Sequence, residues 1–84
     1  MRVVNATGDM SDLIGREIFG ISSRTTAIVE NVIKFQIGST NVSELILNEE
    51  TIDGIFTIGE TIRGTKTEES EFFVKAVVSG LISD

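Results

Sequence analysis

Acidic side chains are the residues of this 84-residue chain whose types and spacing come nearest to catalytic chemistry. Two carboxylates that flank a cleft can act as a general acid and base. The groups close enough in sequence are Asp9 with Asp12, and Glu49 with Glu50 and Asp53. Nucleophilic catalysis would have only carboxylates and lysines as bases, because the chain has no histidine or cysteine. No spacing singles out a working pair, so we predict a protein that is not an enzyme.

The same acids offer oxygen ligands of the kind that calcium prefers. Two sets qualify by residue type: Asp9, Asp12 and Glu17, and Asn48, Glu50 and Asp53 ahead of Gly54. Neither set follows the alternate ligand spacing of a calcium loop. The missing cysteine and histidine also remove the usual zinc ligands. The sequence therefore predicts neither a metal nor another cofactor.

Glycines bracket two similar stretches of the chain. Residues 13–20 (LIGREIFG) and 57–64 (TIGETIRG) match at both isoleucines and both glycines. Neither stretch has the Lys-Ser/Thr or the helix start of a phosphate-binding loop. We predict that Gly15, Gly20, Gly59 and Gly64 are structural turn glycines. The first of each pair allows a bend or a positive φ, and the second a bulge or a close backbone approach.

An internal repeat extends from these stretches. Each copy continues through a Ser/Thr-rich turn into a strand of small apolar residues, Ala27-Ile28-Val29 or Ala76-Val77-Val78. The second copy has a longer, charged turn at residues 66–71. Each copy predicts a β-hairpin, within a repeat that covers residues 13–29 and 57–78.

Residues 26–37 alternate more regularly than any other segment and predict a long strand. Its inner face would carry Ala27, Val29, Asn31, Ile33, Phe35 and Ile37, with Asn31 needing a hydrogen-bond partner or marking a bulge. A turn then leads into a returning strand at residues 42–47, with Leu45 inward and Glu44 outward. A helix over residues 43–50 is the alternative. Residues 1–6 predict an edge strand, and residues 8–13 one helical turn.

The fold class predicted from these elements is all-β. Five to seven short antiparallel strands in one domain, residues 1–84, suit a small, partly open barrel of the OB or SH3-like type. The chain is too short for a sandwich of immunoglobulin size. It also lacks disulfides and zinc ligands, so closure of the sheet or pairing with another chain has to stabilise it.

The net charge of −6 disfavours nucleic acid as a partner, since the seven basic residues are scattered along the chain. No apolar stretch reaches the roughly 18–20 residues of a membrane span, and the N-terminal residues lack the apolar core of a signal peptide. We therefore predict no nucleic acid, no membrane and no secretion.

Neighbouring phenylalanines suggest a contact surface. Most of the five phenylalanines are expected in the core, but Phe72 and Phe73 are adjacent on a predicted strand and must point to opposite faces. One of them is then expected to lie in a subunit or partner contact. Protein partners or self-association follow as a prediction.

Three strings of the sequence resemble a β-rich module of tail and baseplate-type structural proteins of contractile-tailed bacteriophages, especially marine ones. They lie at residues 15–30, 43–47 and 54–64. The module's pattern reads Gly-x-x-Ile-x-Gly-x-Ser-Ser-Gly-Ala-x-Ala-x-Val, then a Glu-Leu-x-Leu strand and a Gly-x-Phe-x-x-Gly-Glu-x-Ile/Val-x-Gly strand. Arg24 and Thr25 stand where the pattern has Gly-Ala. The resemblance implies a non-catalytic assembly module, found in the virion or the host cytoplasm.

A second function stays open beside this one. A free-standing OB or SH3-like domain of this size can also hold a peptide, glycan or small ligand in a groove. A concave pocket with converging polar groups would favour that function. A flat apolar edge buried by a second copy would favour assembly.

Overall fold

The computed structural model describes residues 1–65 and 73–80, and these residues form an all-β fold. Its strands are β1 (Arg2–Thr7), β2 (Glu17–Gly20), β3 (Thr26–Ile37), β4 (Thr40–Leu47), β5 (Thr61–Thr65) and β6 (Phe73–Gly80). Short 3₁₀ turns at Met10–Leu13 and Glu49–Thr51 follow β1 and β4. The predicted all-β class is confirmed, and β4 excludes the alternative helix over residues 43–47.

The six strands pair antiparallel in a ring, in the order β1-β4-β3-β2-β5-β6, and β6 pairs back with β1. The predicted small barrel is therefore closed rather than partly open. The prediction of an edge strand at residues 1–6 was wrong, because Val3 of β1 lies opposite both Ser43 of β4 and Val78 of β6. Closing the ring gives Arg2 and Val3 of β1 strand partners on both sides.

The two glycine-bracketed stretches occupy equivalent places in the ring. In the first, the Gly15 N–H donates to the Val29 carbonyl at 2.7 Å, and the Val29 N–H donates to the Arg16 carbonyl at 3.0 Å. The second copy repeats both bonds, from Gly59 to Val78 and from Val78 to Glu60, each at 2.9 Å. Gly59, Glu60 and Val78 of the second copy correspond to Gly15, Arg16 and Val29 of the first copy. The two halves therefore bond in the same way.

An approximate two-fold axis relates these halves. It passes between β2 and β5, where the equivalent residues Phe19 and Arg63 face each other. The bulge between Val29 and Asn31 in the β3–β4 pairing has its counterpart between Arg2 and Val3 in the β1–β6 pairing. The symmetry thus includes β1 and β4, which the repeat in the sequence did not cover.

The core lies inside the ring and is closed at one end by Met10 and Leu13 of the first 3₁₀ turn. Ile18 and Ile62 occupy equivalent core positions and are both fully buried. The remaining members of the core are Met1, Val3, Ala27, Val29, Leu45, Phe56, Ala76 and Val78.

The bulge in β3 overturns the predicted inner face of that strand. Ala27 and Val29 are buried as predicted, but beyond the bulge Val32 packs against the core, while Asn31 and Ile33 are exposed. One extra residue reverses the alternation of all that follow. The Asn31 side chain accepts a hydrogen bond from the Val32 N–H at 2.9 Å.

Candidate functional site

The candidate site is a two-stranded ribbon, residues 30–42, that extends β3 and β4 beyond the barrel. The pairing of β2 with β3 ends at Ile28, and that of β1 with β4 begins at Ser43. Residues 30–37 of β3 therefore pair only with β4 among the described residues. Gly38 has a φ of +62° and begins the two-residue turn at the tip of the ribbon.

An open groove of about 890 Å³ lies between this ribbon and the end of β1 with the residues that follow it. Its ribbon side carries Lys34, Phe35, Gln36, Ser39, Thr40, Asn41, Val42 and Ser43, and its other side Asn5, Ala6, Gly8, Asp9 and Met10. Most of these side chains are polar. The groove lies beyond Met10, which ends the apolar core on this side.

Polar groups of the groove are paired with each other. Lys34 donates from Nζ to Oδ1 of Asp9, which also accepts from the Ser11 N–H at 3.0 Å. The bond from Lys34, more than that from Ser11, holds the pKa of the Asp9 carboxyl below its ordinary value. Gln36 donates to the side-chain oxygen of Asn41 at 2.8 Å. A ligand in the groove would contact the charged groups of Lys34 and Asp9 and the side-chain amides of Gln36 and Asn41.

The outer face of the ribbon is more apolar. Ile33 and Ile37 are exposed there by 51% and 56%, and the Phe35 ring lies between them in sequence. The Arg2 guanidinium carbon is 5.2 Å from the centre of that ring, and Arg2 Nε donates to Glu44 at 3.2 Å. Arg2 thus partly covers Phe35, whereas both isoleucines stay open.

Glu44 is buried, although the sequence predicted an outward residue. Its carboxylate accepts from the amino group of Met1 at 2.8 Å and from Arg2. Burial by itself raises the pKa of the Glu44 carboxyl, but these two cations outweigh it and hold the pKa below its ordinary value. Glu44 therefore fixes the start of β1 at the base of the ribbon.

A second buried carboxylate belongs to Glu60. Its Oε1 accepts from the N–H groups of Ser22 and Ser23 and from the Ser23 hydroxyl, and its Oε2 accepts from the Thr57 N–H at 2.6 Å. Burial would raise the pKa of Glu60, but these hydrogen bonds keep it below its ordinary value. Glu60 ties the β2–β3 turn to the segment before β5, which is a structural task.

The two residues that depart from the phage pattern lie in that β2–β3 turn. Arg24 has a φ of +61°, a conformation that glycine adopts without strain. Thr25 is fully buried, and its hydroxyl has no hydrogen-bond partner. Glycine, the pattern's residue at position 24, would suit the positive φ there, and alanine at position 25 would leave no hydroxyl buried without a partner.

The four predicted turn glycines serve two kinds of position. Gly15 and Gly59 have φ values of +82° and +93°. A Cβ on Gly20 would lie 2.6 Å from Glu60 Oε1, and one on Gly64 2.5 Å from a methyl group of Leu13. The first glycine of each pair therefore bends the chain, and the second leaves room for a neighbouring side chain.

The remaining predicted residues are not brought together. Phe72 and the charged turn of residues 66–71 lie outside the described residues, and Phe73 begins β6 opposite Thr65. Asp9 caps one 3₁₀ turn, whereas Glu49 and Glu50 belong to the other, capped by Asn48. Within residues 1–65 and 73–80 no three acidic residues are placed to hold a metal ion.

Sequence reasoning missed the ribbon, the groove and both buried carboxylates. The length of the alternating segment at residues 26–37 was a usable signal, since its strand exceeds the usual five or six residues. The one available signal for Glu44 and Glu60 was the resembled pattern, which has a glutamate at both positions.

No helix in the described part of the chain is both long and apolar enough to cross a membrane. Comparison of the chain with family models, with curated proteins and with solved structures finds no match.

Proposed function

We propose that this protein is a non-catalytic assembly module of a bacteriophage particle, and that it contacts its neighbours through the ribbon. The observation that carries the proposal is the ribbon itself. It extends beyond the closed ring, leaves one side of β3 without a strand partner among the described residues, and exposes Ile33 and Ile37. Unpaired strand edges and exposed apolar side chains are the features through which β proteins associate.

The turn at Arg24 and Thr25 supports the link to phage modules. The resemblance rests on a pattern with Gly-Ala at these two positions, and the structure has a positive φ at one and an unpaired buried hydroxyl at the other. A relative of that module would keep the backbone conformation of the turn even after Gly and Ala had been replaced by Arg24 and Thr25. The virion is then the expected location.

The bonding of the acids supports a structural role. Asp9 pairs with Lys34 and caps a turn, Glu44 binds two cations, and Glu60 joins two segments. In each case the carboxylate is occupied by groups of the protein itself.

Mass spectrometry of density-gradient-purified particles, from a host culture that carries the gene, tests this function. We expect the chain to co-sediment with the particles in a fixed ratio to their tail proteins. Ile33→Asn should lower the incorporated amount, whereas Ile58→Asn, which changes an isoleucine that is 61% exposed outside the ribbon, should not. A chain that stays in the soluble fraction would contradict the proposal.

The alternative is a free-standing binding module, and the groove favours it. Its volume is within the range of small-ligand sites, and polar side chains converge on it from two segments. Amide NMR titration with pools of peptides, oligosaccharides and small molecules distinguishes the two functions. Saturable shifts confined to Asp9, Lys34 and Asn41 would support the alternative, and their absence from every pool would speak against it.

A further inference from the structure

We infer that the free edge of β3 pairs antiparallel with the same edge of a second copy of this chain, in a register centred on Ile33. The inference rests on the proposed assembly function and names the partner of the ribbon. Residues 30–37 are the longest run in the described strands that has a strand on one side only. An edge of this length is able to bind another strand.

The hydrogen-bond pattern restricts the register. In a two-residue hairpin, the residues next to the turn bond to each other, so Ile37, Phe35 and Ile33 bond to β4. The backbone groups of Val32, Lys34 and Gln36 then face the free edge, where the Val32 N–H would exchange its bond to the Asn31 side chain for one to the second copy. An antiparallel partner must place residues of this set opposite one another, which allows symmetric registers centred on Val32, Ile33, Lys34 or Phe35.

Only one of these registers suits the side chains and the length of the edge. Centring on Val32 would run the second copy into the part of β3 that β2 already covers. Centring on Lys34 would place two ammonium groups opposite each other, which is unfavourable. Centring on Phe35 would overlap only residues 33–37 of both copies and would meet at a ring that Arg2 already covers in part. Centring on Ile33 overlaps residues 30–36 of both copies, all within the free edge.

The register centred on Ile33 also makes favourable contacts. Ile33 of each copy meets its counterpart in a pair without backbone hydrogen bonds, where side chains approach most closely. That contact would cover side chains that are 51% exposed. Lys34 lies opposite Val32 of the second copy, so the two ammonium groups are not directly opposed.

Single cysteines in this cysteine-free chain test both the contact and its register. The two Cα atoms at position 33 would be about 4.5 Å apart, within the roughly 4.4–6.8 Å of a disulfide. Ile33→Cys should form a covalent dimer under mild oxidation at least about tenfold faster than Ile37→Cys, because the preformed pair raises the effective thiol concentration. Ile37 is the matched control, being equally exposed on the same strand and face.

A proline variant tests the same pairing without cysteine. Gln36→Pro removes an edge-facing N–H and leaves the bonds to β4 intact. Sedimentation velocity over a range of concentrations should show weaker self-association for Gln36→Pro than for Gln36→Thr. Equal cross-linking of both cysteine variants, or a wild-type monomer at every concentration, would overturn the inference.

The two proposals fail separately. If particles contain the chain but Ile33→Cys does not cross-link, the assembly function stands and the ribbon has a different partner. Cross-linking at Ile33 by a chain that particles never contain would keep the self-pairing and remove the phage function.

Discussion

Thr25 has the least favourable polar environment among the described residues. Its side chain is fully buried with an unpaired hydroxyl, which costs about 1–3 kcal/mol when a group is desolvated without a partner. Thr25→Val keeps the shape and removes the hydroxyl, so we expect the free energy of unfolding in urea to rise by about 1 kcal/mol. Thr25→Ser keeps the hydroxyl and should be less stable than wild type. The opposite order of the two variants would show that the hydroxyl is satisfied in solution.

Arg24 tests backbone strain in the same turn. A residue with a side chain costs roughly 1–2 kcal/mol in the left-handed region, and glycine avoids most of that cost. Arg24→Gly should therefore be about 1 kcal/mol more stable than Arg24→Ala, even after the greater flexibility of glycine in the unfolded chain is allowed for. Comparing these two variants removes the contribution of the arginine side chain. Equal stabilities would mean that position 24 carries no strain.

Glu60 makes the stability depend on pH. Because the folded pKa is lowered from its ordinary value of 4.5, the network contributes in full above that value and is lost as the pH falls through the folded pKa. Glu60→Gln should lower the free energy of unfolding at pH 7 by about 1–3 kcal/mol, and the loss of stability on acidification should become shallower. Some slope remains from Glu44, whose pKa is lowered as well.

Glu50→Gln is the control for that comparison, since Glu50 is exposed. Chemical denaturation of wild type, Glu60→Gln and Glu50→Gln between pH 7 and about pH 3 gives the free energy of unfolding of each protein as a function of pH. Parallel curves for wild type and Glu60→Gln would contradict the assigned role.

At the scale of elements, the sequence predicted strand positions well and strand environments less well. Alternation located β3, and the glycine repeat located β2 and β5, because both are local patterns. The bulge after Val29 depends on how β3 meets β4, so its effect on Asn31 and Ile33 could not be derived from local alternation. Glu44 likewise looked like a surface residue until β1 brought Arg2 and the Met1 amino group beside it.

The ribbon was unpredictable for a related reason. Its free edge exists because β2 is shorter than β3, with four residues against twelve. The sequence shows where each strand lies but not how far its neighbour accompanies it. The two buried carboxylates were missed because their partners are mainly backbone or terminal groups, which have no signature in the sequence.

The contact between β2 and β5 depends on the second glycine of each copy. At Gly64 a Cβ would lie 2.5 Å from a Leu13 methyl group and 3.3 Å from the Glu17 carbonyl. Gly64→Ala should therefore lower the free energy of unfolding by about 1–3 kcal/mol, through displacement of the β2 side of the barrel. Gly80→Ala is the matched control, because its nearest atom is 3.8 Å away, and it should unfold at the wild-type denaturant midpoint. Equal midpoints for both variants would mean that the barrel yields at Gly64 without cost.

At the scale of the whole molecule, the approximate two-fold symmetry makes the two halves partners in one core. Neither hairpin closes a ring alone, since β2 needs β5 and β1 needs both β4 and β6. The residues that meet across the axis come from different halves, as Gly20 and Ile62 do. A single cooperative unfolding transition is the expected consequence.

The shared core can be tested by comparing how much stability is lost when equivalent core residues of the two halves are shortened. Ile18 and Ile62 are both fully buried at symmetry-related positions, so Ile18→Val and Ile62→Val should each cost about 0.5–1.5 kcal/mol. We expect the two values to agree within about 0.5 kcal/mol, and both variants to keep the wild-type dependence on denaturant concentration. Urea unfolding followed by circular dichroism and by hydrogen exchange of β2 and β5 measures this. A large cost at only one isoleucine, or loss of exchange protection in one hairpin before the other, would show that one half folds as a unit to which the other attaches.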